Sequence, residues 1–143
     1  MTVDNILVDK NFRTILIDPS DDNEFTGIII DVSRMLQSLK YGYEFLTRSQ
    51  EQVLFSNNGG QISVLFAHYR SKEYVDLENY FSRTLIPKLL TQDEIDSLDF
   101  HVALMYFRMI NHQMRISPQN AIKYLAVGTI ALNDYIRGKF GEI

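Results

Sequence analysis

The sequence predicts an α+β fold whose helices are segregated toward the C-terminal half. Three observations support this prediction: a capping box at Thr91 and Glu94, a helix start at Ser117-Pro118, and short β-branched runs separated by turn residues in the N-terminal half. We expect one α+β domain over residues 1–143, with the element order ββαβββααα and a long hairpin formed by the last two helices.

An N-terminal β-hairpin is predicted by two β-branched runs, 6–8 and 14–17, which flank polar residues. The polar stretch 18–24 follows. Counted from Asp18 as an EF-hand calcium loop, this segment lacks the turn glycine, and Ile29 stands at the twelfth position, where such a loop has a glutamate. We interpret it as a solvated loop in which Ser20 or Asp22 caps the next helix.

The first helix is predicted over residues 25–39, where apolar residues recur at helical spacing. Gly27 and the three isoleucines 28–30 also suit a strand. The helical spacing favours the helix, because it continues over a longer segment than the three isoleucines.

A three-stranded antiparallel meander is predicted next. Its first strand is indicated by aromatic residues that alternate with their neighbours at a period of two: Tyr41, Tyr43 and Phe45. The runs 53–55 and 62–67 supply the other two strands. Between them lies Asn-Asn-Gly-Gly at 57–60, whose residues tolerate the positive φ of tight hairpin turns.

Three helices complete the predicted fold. The first is capped by Ser71, carries an apolar stripe over residues 74–85, and is ended or kinked by Pro87. The second runs over residues 92–115 and the third over residues 118–138.

The composition excludes several kinds of site. The chain has no cysteine, which excludes disulfides, thiolate catalysis and cysteine-based metal sites. It has no dinucleotide-binding glycine motif, Walker loop or nucleophile elbow, so we predict no cofactor, no metal and no catalytic residue. Without a signal-peptide pattern, or an apolar run near the ~20 residues that span a bilayer, we expect a cytoplasmic protein with no membrane partner.

Charge is distributed unevenly along the chain. Residues 1–99 hold nine Lys and Arg against sixteen Asp and Glu, whereas residues 100–140 hold five against Asp134 alone. An acidic body with a basic end can attract an acidic partner or another copy of the chain. Nucleic-acid binding is a weaker alternative, because five cations without a recognised motif give it little support.

One face of the predicted helix 92–115 is polar. At about 100° per residue, six side chains share this face: Glu94, Ser97, His101, Arg108, His112 and Arg115. A ligand site for an anion or phosphate is one interpretation, with His101, Arg108, His112 and Arg115 as its residues. The preferred interpretation is a solvated stripe ordered by the helix dipole. His101 and His112 lie roughly 16 Å apart on a helix, so they cannot share a metal.

Candidate interface residues fall into three groups. The first group shares one face of the predicted strand and contains Tyr41, Tyr43 and Phe45. These rings could stack a base or present a surface to a partner, but burial under a helix is the preferred interpretation. A close-packing face on the last helix would contain Ala121 and Gly128, because a glycine inside a helix costs up to about 1 kcal/mol unless something packs there. The basic end would present Lys123, Arg137 and Lys139.

These observations favour a non-enzymatic protein–protein interaction or assembly subunit that self-associates or joins a larger complex, such as a virion or regulatory complex. The first alternative is a binder of, or enzyme acting on, a small anionic ligand or nucleotide through the face of Arg108, His112 and Arg115. The second alternative is a nucleic-acid-binding accessory protein.

Overall fold

The computed structural model describes residues 2–17, 27–48 and 53–141. A 3₁₀ turn, Val3–Asn5, precedes the strands and helices. These are β1 (Ile6–Val8), β2 (Thr14–Leu16), α1 (Ile28–Leu39), α2 (Tyr43–Arg48), β3 (Leu54–Asn58), β4 (Gln61–Leu65), α3 (Lys72–Tyr80), α4 (Ile86–Leu89), α5 (Gln92–Asp96), α6 (Leu98–Ile116) and α7 (Pro118–Phe140). The predicted α+β class is confirmed, and α6 and α7 form the predicted helical hairpin.

The helical hairpin is the core of the fold. Val102, Ala103 and Tyr106 of α6 are almost completely buried, as are Val127 and Ala131 of α7. The corner between the helices follows the predicted pattern. The Ser117 side chain accepts a hydrogen bond from the backbone N–H of Asn120, and Pro118 occupies the first turn, where its missing N–H costs nothing.

The predicted single helix over residues 92–115 is two helices. The capping box at Thr91 and Glu94 opens the short α5, as its pattern indicates. Ser97 separates the two helices as the cap residue of both, and its hydroxyl donates to the Glu94 carbonyl at 2.9 Å. A serine that bonds to the preceding turn in this way competes with the helical ladder, and α6 starts afresh at Leu98.

Helix α1 lies against α6 and buries Val32, Leu36 and Leu39. Residues 28–30 are therefore helical, as the helical spacing of apolar residues over 25–39 predicted. The predicted start at Phe25, and the proposed caps at Ser20 and Asp22, lie outside the described residues.

The predicted first strand of the meander is wrong, because Tyr43–Arg48 forms α2. Gly42 ends the preceding helix at φ +58°, a conformation that side chains with a Cβ rarely adopt. Tyr43 and Leu46, three residues apart, then face the helical hairpin. The alternation of Tyr41, Tyr43 and Phe45 therefore does not mark a strand, and Glu44, between the last two, is buried in a helix.

The meander is thus reduced to a hairpin of two strands. β3 pairs with β4 in the register Leu54↔Leu65 through Asn58↔Gln61. The predicted turn is present, with Gly59 and Gly60 at positive φ. The N-terminal hairpin is also present, as β1 paired with β2.

Helix α3 begins at the predicted cap, where Ser71 accepts from the backbone N–H of Tyr74. A π-helical segment, Phe81–Leu85, joins it to α4. Pro87 lies in the first turn of α4, so the helical path continues to Leu89. The wider π-helical turn accommodates a proline that would collide with a carbonyl of an α-helix.

No helix within the described ranges has both the length and the apolarity needed to cross a membrane.

Candidate functional site

The β3–β4 hairpin exposes apolar side chains to solvent. Leu54, Phe55, Ile62 and Leu65 are each between 57% and 66% exposed, and Val64 is partly exposed. We call these five side chains the hairpin surface.

The hairpin surface has two sides. Directly opposed residues of an antiparallel pair share one face, so Leu54 and Leu65 lie on one face, with Phe55, Val64 and Ile62 on the other. Among the described strands, β3 and β4 pair only with each other. A sheet of two strands is marginally stable in water unless a further strand or a packed face supports it.

The segment 53–67 contains no Asp, Glu, Lys, Arg or Pro. Charges and prolines are the usual devices that prevent an exposed strand edge from pairing with another chain. Their absence over fifteen residues is readable in the sequence, and it is the signal that marks this hairpin as a candidate interface.

The β1–β2 hairpin has a similar exposed character. Leu7, Val8, Ile15 and Leu16 are exposed, and Phe12 beside the turn is 89% exposed at φ +60°. Unlike β3–β4, this hairpin carries charge, because Asp9 forms a salt bridge with Arg13.

The predicted interface aromatics do not share a face. Tyr41 is buried, and its hydroxyl lies 2.8 Å from Asp99 Oδ1 and 2.9 Å from Asp134 Oδ2. Tyr43 turns toward the helical hairpin, whereas Phe45 packs against other aromatic rings outside it. The strand that would have aligned them is a helix, so an interface built from these three side chains is not supported.

Tyr41 instead belongs to a polar network that ties the end of α1 to α6 and α7. Lys40 Nζ donates to both Asp99 oxygens, at 2.9 and 2.8 Å, and lies 3.5 Å from Asp134 Oδ2. Burial, followed by the charge of Asp99, raises the pKa of Tyr41 above its ordinary value. The network keeps the phenol protonated and fixes the position of three helices.

The predicted close-packing face of α7 is internal. Ala121 and Gly128 are buried, and Gly128 lies against Phe107 of the same chain. The helix that packs against Gly128 therefore belongs to the same chain.

The predicted basic end is divided. Lys123 is buried, and its Nζ donates to the Leu46 carbonyl at 3.2 Å. Arg137 and Lys139 are exposed in the last turns of α7, while Arg115 is exposed near the corner at the other end of the hairpin. About twenty helical residues separate these two ends, or roughly 30 Å, so the cations do not form one patch.

The predicted ligand stripe is also divided. His101 and Arg108 line a cleft between α1 and α6, together with Arg34 of α1. His112 and Arg115 are exposed and do not line this cleft. The sequence pattern does not identify Arg34, because its approach to Arg108 is a contact between helices distant in sequence.

His68 lies just after β4 and not on it. A Cβ placed on Gly42 would be 2.9 Å from His68 Nε2, so one edge of the ring is packed although much of the residue is exposed. Desolvation, with a smaller contribution from Arg70, lowers the pKa of His68 despite opposing hydrogen bonds with the backbone of Tyr41 and Gly42.

The carboxylate of Glu44, on α2, is buried and has no hydrogen-bond partner among the described residues. Within residues 2–17, 27–48 and 53–141, no cluster of three His, Asp or Glu side chains could hold a metal ion.

No protein-family model, curated protein or solved structure shows significant similarity to this chain. Its function is therefore inferred from its own residues.

Proposed function

We propose that this chain is a non-enzymatic assembly subunit that self-associates by pairing its β3–β4 hairpin with the same hairpin of a second copy. The observation that carries the proposal is the hairpin surface, with apolar side chains exposed on both faces of a two-stranded sheet. Edge-to-edge pairing would give a four-stranded antiparallel sheet, which meets the size needed for an independently stable sheet.

A second copy is the preferred occupant because the segment 53–67 is uncharged. When two identical strands pair about a two-fold axis, each residue faces a residue of the same segment in the other copy, and like charges within that segment would repel across the interface. No such repulsion arises here. A different partner would have to recognise this segment by shape and backbone hydrogen bonds alone.

The energetic scale indicates a weak dimer. Full burial of an apolar side chain contributes about 1.5–3 kcal/mol, and a two-fold interface counts each of the five side chains twice. Edge pairing covers these side chains only in part, and association costs about 4–15 kcal/mol. We therefore expect a dimer whose population depends on protein concentration.

The test is native mass by light scattering across a range of concentrations. The wild type should approach twice the 16.6 kDa chain mass at high concentration. The double variant Phe55→Thr/Ile62→Thr keeps β-forming residues but lowers apolarity, so it should remain monomeric. Leu125→Gln, which removes a comparably exposed apolar side chain from α7, is the control and should dimerise as the wild type does.

Salt distinguishes this contact from head-to-tail attraction between the acidic body and the cations. Pairing through an uncharged hairpin should be nearly insensitive to added salt, whereas charge-driven contacts weaken as salt is added. A monomeric wild type at all concentrations, or a double variant that dimerises normally, would refute the proposal.

A further inference from the structure

We propose that the cleft between α1 and α6 binds a small organic phosphate through Arg34 and Arg108. This site is separate from the hairpin surface and does not depend on self-association.

The cleft has two lobes. The larger, about 260 Å³, is lined by residues that include Gln37, Tyr43 and Met109. The smaller, about 130 Å³, is lined by Ile30, His101 and Leu104. Arg34, Met105 and Arg108 line both lobes. Both arginines therefore lie where the two lobes adjoin.

Two arginines at one cleft suit a phosphate group. Each guanidinium presents five N–H donors in a planar fork that matches phosphate oxygens two at a time. Both arginines also make contacts within the chain. Five donors allow each side chain to keep such a contact and still hold an anion.

Gln37 adds a neutral polar residue to the lining of the larger lobe. The residue is only 5% exposed, and it lines the larger lobe. Its backbone carbonyl accepts a hydrogen bond from the Tyr106 hydroxyl at 3.3 Å. A side-chain amide carries two N–H donors and a carbonyl acceptor, so Gln37 is chemically suited to bind a polar group of an occupant.

The remaining walls indicate that the ligand has an organic body. Met105 and Met109 are flexible and polarizable, and Ile30 and Leu104 add branched apolar surface. Together the lobes reach the lower end of the size range of small-molecule sites. A bare phosphate would leave both the apolar walls and the Gln37 amide unused.

His101 adds an imidazole ring to the lining of the smaller lobe. Its Nδ1 lies 2.9 Å from the Ser97 backbone carbonyl, which can only accept, so Nδ1 carries the proton. Nε2 is then the ring nitrogen that remains to form a hydrogen bond with a polar group of the ligand.

The experiment is titration calorimetry of the full chain with adenosine 5′-monophosphate, phenyl phosphate, inorganic phosphate and adenosine. The two organic phosphates should bind more tightly than inorganic phosphate, and adenosine should bind most weakly. Arg34→Ala and Arg108→Ala should each weaken binding ~10- to 100-fold, the effect expected for loss of a charge-assisted hydrogen-bond pair. Arg137→Ala, on the exposed end of α7, is the matched control and should bind as the wild type does.

Two further variants keep the test decisive if an alanine variant fails to fold. Arg108→Lys retains the charge but loses the planar fork, and Gln37→Met retains the volume but loses the amide. Each should weaken binding of the organic phosphates about tenfold while the melting temperature stays near that of the wild type. Failure of all three phosphates to bind at millimolar concentration overturns the proposal. Equal weakening by Arg137→Ala also overturns it, because the binding would then reflect overall charge alone.

Discussion

Gly128 on α7 faces Phe107 on α6 so closely that a Cβ at position 128 would lie 2.7 Å from Phe107 Cε1. The same Cβ would lie 3.0 Å from Tyr106 Cβ, an atom that cannot move without its backbone. The helical hairpin therefore depends on a glycine at this crossing. Its conformational cost is offset by packing within the chain.

Gly128→Ala should lower the free energy of unfolding. Overpacking a core costs about 1–3 kcal/mol, which exceeds the gain of up to about 1 kcal/mol from replacing a helical glycine. We expect a net loss of roughly 1–2 kcal/mol in chemical denaturation. Gly138→Ala is the control, since a Cβ at that position would meet nothing within 4 Å, and it should leave stability unchanged or slightly raised. A stabilised Gly128→Ala variant would show that the helices separate at little cost.

Tyr41→Phe should weaken the connection between α1 and the helical hairpin. It removes the hydroxyl that lies within hydrogen-bond distance of Asp99 and Asp134. Because the carboxylates are partly exposed, we expect a loss of roughly 1–2 kcal/mol, toward the lower end of the range for hydrogen bonds to charged groups. Tyr80→Phe, at an exposed position on α3, should change stability by less than about 0.5 kcal/mol.

The raised pKa of Tyr41 also gives an alkaline prediction. The unfolded phenol titrates near 10.0, below the pKa in the fold, so the contribution of the protonated phenol is complete below that pH and is lost as the pH rises above it. The pKa values of Tyr106 and Tyr124 shift in the same direction, chiefly through burial. Denaturation above pH 10.0 should therefore show a steep loss of stability, less steep in Tyr41→Phe. If stability falls equally steeply with pH in the wild type and in Tyr41→Phe, the raised pKa of Tyr41 is contradicted.

His68 should make stability sensitive to mild acid. Its folded pKa lies below the unfolded value of 6.5, so the unfolded chain binds the proton more readily. Stability is then fully present above pH 6.5 and is lost as the pH falls through the folded pKa. His68→Gln should flatten this part of the pH–stability curve, whereas His112→Gln, at an exposed position on α6, should not.

Replacement of Glu44 should stabilise the fold. The side chain is 4% exposed, and neither carboxylate oxygen has a hydrogen-bond partner in the ranges that the structure covers. Glu44→Met keeps the volume and removes the unpaired group, so unfolding should become harder by about 1–3 kcal/mol. Glu44→Gln separates the cost of the charge from that of the unpaired atoms. A loss of stability in Glu44→Met would mean that the carboxylate has a bound partner.

The features that the sequence predicted correctly depend on local chemistry. The capping box at Thr91, the Ser117-Pro118 start and the glycine turn at 59–60 act through neighbouring residues, and all three are present. Local patterns gave wrong predictions where contacts between residues distant in sequence determine the secondary structure and the burial of a side chain. The period of two predicts that Tyr43 and Phe45 share one face of a strand, yet the chain forms a helix there and their rings pack against different neighbours.

The candidate sites depended still more on distant contacts. Arg108 could be selected from its position on a polar helix face, but Arg34 joins it only because α1 packs against α6. The predicted basic surface included Lys123, although its charge lies inside the fold. Charge counts along a chain do not report burial. The uncharged segment 53–67 was the readable indication of the hairpin surface.

The most direct test of self-association through β3–β4 is hydrogen–deuterium exchange at low and high protein concentration. In an isolated two-stranded hairpin, the backbone N–H groups on the outer edges have no strand to pair with. Edge-to-edge dimerisation would give hydrogen-bond partners to the N–H groups on the edge that joins the two copies. Amide protection in β3 and β4 should rise with concentration in the wild type and remain low in Phe55→Thr/Ile62→Thr. If both strands exchange equally fast at the two concentrations while the native mass increases, the copies associate elsewhere and the proposed interface is wrong.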